Sequence, residues 1–467
     1  MNGVANTIPP YCNQNGQNIN FSISLEESTP IERNESLKPS FREAIRFWFI
    51  LGWISFGGTT GHITIMHDFL VDKKRWVSGK KFFQALNACM LLPGPEAHQL
   101  TIYLGWKLHG LKGGILAGLF FILPSLCIIF GLSLVYVYFG HSAFLSALFS
   151  GLKPAVLAII LFATYKVGQK SLLGTWHYTV ALLAFLLSYF VKVPMPWIIF
   201  GVIILGFLLY FLKSKEAKVK SEREEDDDKE RFYHVNSLEI VPSVSVRKIC
   251  VQFLAFFLLW LGPFTALYLF MPDATFWKEL SFLFTKSAYF TIGGSYTVIP
   301  YVANLVTEKF LWLTKTQMID GFALAETTPG PLVIVLAYVG FMAGFNHFDH
   351  SYAMAAIGLA ATAYFTFLPN FALIFIGAPL IERSQKNMAI QYVLSLVTAS
   401  VVGVIVNLAF YLGKGILFPN AFGWVDLDWK ALLWVVVSIF LLFRYRIGML
   451  QLILLSLVYG FLLYLLP

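Results

Sequence analysis

Apolar positions fill this chain in long runs, at roughly 41–57, 81–106, 111–139, 142–166, 174–191 and 194–212. After a charged stretch they resume at roughly 250–271, 276–294, 317–343, 352–380, 388–412, 429–445 and 448–466. Most approach the ~20 residues that an α-helix needs to cross a hydrocarbon core of about 30 Å. None has the alternation of a membrane barrel strand, and backbone in lipid must satisfy its own hydrogen bonds, so the runs predict helices. The expected fold is all-α and polytopic, with about 13 transmembrane helices. The polar remainder sets the boundaries. Residues 1–40, with "YCNQNGQNINFS", lack the apolar core and cleavage site of a signal peptide and are expected to be a disordered tail. Residues 213–248 hold the mixed-charge block "KVKSEREEDDDKER", expected to be a solvated cytoplasmic linker. Two helical units remain, 41–212 and 249–467, the second opening on a connecting helix.

Composition agrees, since 57% hydrophobic and 13% charged residues do not describe a soluble domain. The net charge of +8 lies largely in short loops, where it follows the positive-inside bias, so membrane lipid rather than nucleic acid is the expected partner. Cys12, Cys89, Cys127 and Cys250 are scattered without metal-ligand or redox spacing. No Walker loop and no nucleophile–base set appears, so neither an enzyme nor a cofactor or metal is expected.

Identical motifs recur at a constant offset. Adding 236 takes Gly57 and Gly58 to Gly293 and Gly294, Trp76 to Trp312, and Pro93, Gly94 and Pro95 to Pro329, Gly330 and Pro331. Farther on the offset becomes 245 and pairs Pro124 with Pro369, as though "GFNHFDHSY" were inserted. Two homologous halves are implied. Six spans per half and one connecting span would turn the second half upside down, an inverted repeat. A cytoplasmic N-terminus then puts Arg42, Arg46, Lys107, Lys112, Lys166, Lys170, Arg383, Lys386, Arg444 and Arg446 inside. The loop "DKKRWVSGKK", Asp72 to Lys81, conflicts, because this count leaves its five basic residues outside. Either it folds inward as a basic vestibule, the preferred reading, or 81–106 is a re-entrant hairpin and the count changes.

Each Pro-Gly-Pro must interrupt its helix, because proline removes a donor and clashes with the preceding turn. Half-helix N-termini offer unpaired N–H groups and a partial positive charge of about half a unit, which suit an anion. Broken helices at matching positions of inverted halves point to a transporter's substrate site. The expected site therefore takes Gly57, Gly58, His62, Pro93, Gly94, Pro95, Glu96, His98 and Gln99 from the first half. From the second it takes Gly293, Gly294, Glu326, Thr327, Thr328, Pro329, Gly330 and Pro331. Glu96 occupies its own half-helix N-terminus, whereas Leu332, Val333 and Ile334 follow the second break, which is thus the better oxyanion seat, with Thr327 and Thr328 supplying hydroxyls. Glu326 ends the preceding half-helix, where the dipole disfavours its charge, and is a candidate proton carrier. Plainer roles stand beside these: packing kinks, close helix contact at the glycine pairs, neutral structural glutamates, a core His98, an interfacial Asp320, and interfacial anchors at Trp76 and Trp312.

The blocks "SFGGTTGHITIMHDFLVDKKRW", "ALNACMLLPGPEAHQLTIYLGWKLHGLKGGILAGLFFILPS", "TIGGSYTVIPYV" and "WLTKTQMIDGFALAETTPGPLVIVLAYVGFMAG" resemble the signatures of the chromate ion transporter family, in its long-chain, two-domain form. The resemblance spans roughly Phe41 to Leu380. It implies a multi-pass plasma-membrane carrier that exports chromate, driven by the proton motive force or by exchange with sulfate. Thr59-Thr60 stands where the family commonly has Pro-Ala, and His98 where it commonly has Gln. Both departures border the expected site and put the cargo in question, since sulfate shares chromate's tetrahedral shape and charge. A carrier of sulfate or another oxyanion, a passive anion channel and a sensor are the alternatives. A homo-oligomer is compatible with the sequence.

Overall fold

The computed structural model describes residues 39–56, 58–140, 142–212, 246–291, 294–377, 388–418 and 426–465. Gly57, Gly293, most of the N-terminal tail and most of the linker lie outside the described residues. The described chain holds sixteen α-helices and no strand. Six of them are long and apolar enough to cross a membrane. The protein is an all-α, polytopic membrane protein.

The first half comprises α1 (Phe41–Ile54), α2 (Gly58–His67), α3 (Gly79–Leu91), α4 (Glu96–Phe139), α5 (Ala143–Ser171), α6 (Thr175–Tyr189) and α7 (Met195–Leu212). Next comes α8 (Val246–Phe270), which begins inside the expected linker. The second half comprises α9 (Ala274–Phe290), α10 (Val298–Asn304), α11 (Lys315–Glu326), α12 (Val335–His347) and α13 (Tyr352–Ala372). It ends with α14 (Met388–Leu417), α15 (Trp429–Phe440) and α16 (Met449–Leu465).

Small polar side chains start these helices. Ser78 and Thr314, 236 residues apart, cap α3 and α11 through the amides of Lys81 and Gln317. Asp273 caps α9 by accepting from the amides of Thr275 and Phe276, and its other oxygen lies 2.8 Å from His347 Nε2. The His347 hydrogen bond, helped by those amides, holds the Asp273 carboxyl below its ordinary value. A carboxyl depressed in the folded state stabilises above its unfolded pKa of about 4 and loses that contribution as pH falls through the folded value. Asp273→Ala is thus expected to cost about 1 kcal/mol at neutral pH. Thermal unfolding in detergent should show the deficit shrinking below about pH 4; a deficit constant down to pH 2 would assign the whole effect to something other than the charged cap.

Four of the expected spans are instead arms of half-length hairpins. α1 runs 14 residues, about 21 Å, too short for a core of about 30 Å. The chain then doubles back, stacking Phe69 on Phe47 at 3.9 Å and placing Lys74 Nζ 2.9 Å from Glu43 at the start of α1. From there α3 departs, and the first part of α4 returns to the same end, where His109 meets Phe41 at 5.4 Å. A break at His109 and Gly110 separates this arm from the rest of α4. The second half repeats the pattern. Asn346, near the end of α12, donates to the Trp312 carbonyl at 2.8 Å and to Gln317 at 3.1 Å, so α11 and α12 lie side by side. Phe276 meets both Trp312 and His347, at 5.1 and 4.4 Å.

Against the expected count of about 13 crossing helices, six of the described helices are long and apolar enough to cross a membrane. The runs at 81–106 and 317–343 are each divided at Pro-Gly-Pro, into α3 and the first part of α4 and into α11 and α12. Pro-Gly-Pro reverses the chain rather than kinking it, because its glycine takes a positive φ, +133° at Gly94 and +90° at Gly330, and the next proline is extended. The hairpin formed by α3 and the first part of α4 is the geometry of the alternative expectation for "DKKRWVSGKK", a re-entrant 81–106 segment. That loop lies beside the start of α1, with Lys74 against Glu43.

The halves match below the level of helices. Both carry a short π-helical turn after the first hairpin, at Asp68–Lys73 and Leu305–Lys309. Arg75 and Leu311, 236 apart, share a left-handed backbone at φ 52° and 53°. Ser55 and Thr291 end α1 and α9 with nearly the same angles, φ −78°, ψ 74° and φ −77°, ψ 70°. Packing is exchanged between the halves: α6 and α7 lie on α14, while α15 and α16 lie on α5. Small residues permit the approach, Gly403 against the α6 backbone at Ala181 and Gly151 against Gly460. α8 has no buried residue and lies outside this exchange.

Candidate functional site

The hairpin tips meet. The Gly94 amide donates to the Thr291 carbonyl at 2.6 Å, and the Gly330 amide donates to the Ser55 carbonyl at 2.7 Å. Gly330 is Gly94 plus 236 and Thr291 is Ser55 plus 236, so each Pro-Gly-Pro turn is held by the end of the other half's first helix. A buried amide released by proline needs such a partner. The turns are braced alike. Ser125 donates to the Pro329 carbonyl at 2.6 Å, and a Cβ on Gly330 would collide with Ser125 Oγ. A Cβ on Gly94 would collide with Asn370, which is Ser125 plus 245, and with Gln99.

Chemically the two tips differ. Glu96 is the first residue of α4 and Glu326 the last of α11. Tyr296 donates to Glu326 Oε1 at 3.3 Å. A Cβ on Gly294 would stand 3.9 Å from Glu96 Oε1, and one on Gly58 would stand 4.0 Å from the Tyr296 hydroxyl. The structure thereby gathers Gly58, Gly294, Glu96, Tyr296 and Glu326 around one locus. Glu326, Thr328, Gly330 and Gly58 also line a narrow cavity together with Met449 and Ile453 of α16. Tyr296 escaped sequence reasoning; its signal was its place two residues after the second glycine pair, where the first half has Thr60.

Other expected residues lie around this locus rather than in it. Thr327 and Thr328 donate to the carbonyls of Leu324 and Ala325, both at 2.7 Å, so their protons close the end of α11. His62 is buried, with Nε2 2.9 Å from the Ser55 carbonyl, and therefore touches the residue that holds Gly330. His98 is fully buried among the rings of Phe121, Phe367 and Phe371. Gln99 donates to the Pro93 carbonyl and ties the first turn to its own helix. Pro95 and Pro331 are the extended residues that start the outgoing arms. Trp76 and Trp312 are buried and pack inside their hairpins, against Phe47 and Phe69 and against Phe276 and Phe310. His67, Asp68 and Asp72 lie close enough to share a cation but are partly or fully exposed.

Comparison with known proteins agrees with the doubled architecture. The family model described as Chromate transporter matches residues 42–207 and 278–461, regions that begin 236 residues apart. A chromate transport protein of Pseudomonas aeruginosa is 30% identical over 399 residues, covering 82% of this chain and 86% of that protein. A probable chromate transport protein of Synechococcus elongatus is 27% identical over 379 residues, 80% of this chain and 85% of its own. An uncharacterized transporter of Bacillus subtilis is 30% identical over 178 residues, which is 38% of this chain but 89% of that protein, the span of one half. No solved structure matches. With the matched regions falling on both halves and on both Pro-Gly-Pro turns, the chain belongs to the chromate transporter family.

Proposed function

We propose that the protein is a secondary active carrier that exports chromate across the plasma membrane, with the joined Pro-Gly-Pro tips as its midplane site. The observation that carries this reading is the reciprocal pair of bonds, Gly94 to Thr291 and Gly330 to Ser55, with Glu96 and Glu326 beside it. The basic loops around Arg42, Lys74 and Lys112 support a cytoplasmic location for the end carrying the start of α1. The part of α4 from Gly110 to Phe139 is about 45 Å long and brings Tyr136 to Asp320 in α11, so the second half's hairpins open to the opposite side. The halves are then inverted, and among the described residues the long part of α4, α5, α7, α8, α13 and α14 are the helices long and apolar enough to cross. Alternating access rocks one half against the other about the fixed tips.

Export is favoured electrically, because a dianion leaving a negative cytoplasm gains about 4.6 kcal/mol per 100 mV. Two carboxylates at the site would repel it, so occupancy requires a proton on at least one, which makes the glutamates coupling residues. Sulfate carries the same charge and is the competing cargo. In vesicles containing the purified protein, chromate flux is expected to saturate, to follow an imposed potential and to rise when the loading side is acidified. Linear, unsaturable flux would point to a channel, and no flux of chromate or sulfate in folded protein would overturn the assignment.

A further inference from the structure

Asp320, an interfacial candidate by sequence, is buried and bonded across the two halves. Its carboxylate lies 2.7 Å from Lys153 Nζ of α5 and accepts from the Tyr136 hydroxyl of α4 at 2.9 Å. Tyr338 of α12 stands beside Tyr136, ring centres 5.8 Å apart, with its hydroxyl on the Gln317 carbonyl at 3.1 Å. Asp320 comes six residues after the Thr314 cap, about 9 Å into α11, and Glu326 lies about 9 Å farther on. The cluster therefore sits between the outer end of the bundle and the tips.

We propose that Lys153 is a second oxyanion-binding station on the outward path, and that Asp320 holds its place in the present state. This inference rests on the oxyanion-carrier reading. The donors now converging on the Asp320 carboxylate are an ammonium and a phenol, with a second phenol adjacent. That set suits a tetrahedral dianion as well as it suits a carboxylate, and charge-assisted bonds of this kind are the strong ones. Nor does the fold require the charges. The positions equivalent to Asp320 and Lys153 in the other half are Gln84 and Thr398, and the same elements form there without them. The ion pair is not sealed, since Lys153 keeps 23% of its side-chain surface exposed. An intramembrane charge pair present in one half alone is costly and points to function. When the α11–α12 hairpin shifts against α5, Asp320 leaves with α11 and Lys153 stays to receive the anion.

Lys153→Met alone would strand a buried carboxylate and is a poor test. Asp320→Asn and the neutral double variant Lys153→Met/Asp320→Asn are better, each checked for folding by size exclusion. With labelled sulfate and with chromate on the purified full chain, Asp320→Asn is expected to bind about tenfold tighter than wild type, one charge-assisted contact. The double variant should lose that gain, and its flux should need about tenfold more anion to half-saturate. A merely structural strap predicts equal affinities in all three proteins, and that result would overturn the inference. So would a double variant with wild-type half-saturation, which decides the matter even if Asp320→Asn does not fold. If wild type transports neither anion, the carrier reading fails by itself; tighter binding by Asp320→Asn alone would still support the Lys153 site, and its absence would overturn it.

Discussion

Gly330→Ala is expected to abolish transport and to destabilise the protein by about 2–5 kcal/mol, combining a backbone that L-residues rarely adopt with a steric clash. Gly330 has φ +90°, and its Cβ would collide with Ser125 Oγ, which is itself fixed to the Pro329 carbonyl at 2.6 Å. Relief by a shift of the turn would break the 2.7 Å bond from the Gly330 amide to Ser55 and separate the tips. A control separates the two causes. Gly110 also has a positive φ, +65° with ψ −160°, but nothing lies within 4 Å of the site of its Cβ, so Gly110→Ala should cost only the backbone part, about 1–3 kcal/mol. Thermal unfolding in detergent and chromate flux measure both. A Gly330→Ala protein as stable and active as wild type would remove the tip geometry from the mechanism.

Glu326→Gln is expected to uncouple flux from protons while leaving the fold intact. The amide keeps the shape of a protonated carboxyl and still accepts the Tyr296 hydrogen bond, now 3.3 Å long. Where Glu326 is ionised in the wild type, a single titrating group makes flux fall up to about tenfold per unit rise in loading-side pH. The variant, neutral at every pH, should lose that slope and match or exceed wild type on the alkaline side. If Glu326→Gln keeps the full dependence, the proton resides on Glu96, and Glu96→Gln must then remove it. Dependence that survives the double variant would eliminate both carboxyls as coupling groups.

Helices, halves and breaks were legible in the sequence because each rests on a local rule. Apolar runs specify helices in lipid, proline ends them, and a duplication preserves identical motifs at a fixed offset. The span count was not legible in the sequence because a run of apolar residues has the same composition whether it crosses the membrane or folds back within it. Two facts could have shown the difference: the five basic residues at Asp72 to Lys81, and polar caps such as Ser78 and Thr314 directly before the half-length arms. The burial of Trp76 and Trp312 was not legible for a related reason, since an aromatic beside a loop suits an interface and the inside of a hairpin equally well.

The sequence by itself determined that this is an all-α membrane protein of two related halves, each interrupted at Pro-Gly-Pro, with Glu96 and Glu326 beside the interruptions. Only the tertiary structure decided that the interruptions are reversals, that each is held by the other half, and that Tyr296 joins Glu326 while Asp320 joins Lys153. The physical reason is range. Helix formation and breakage depend on residues within a few positions of one another, whereas the partner of a buried amide, hydroxyl or carboxylate is set by packing between segments as far apart as Lys153 and Asp320.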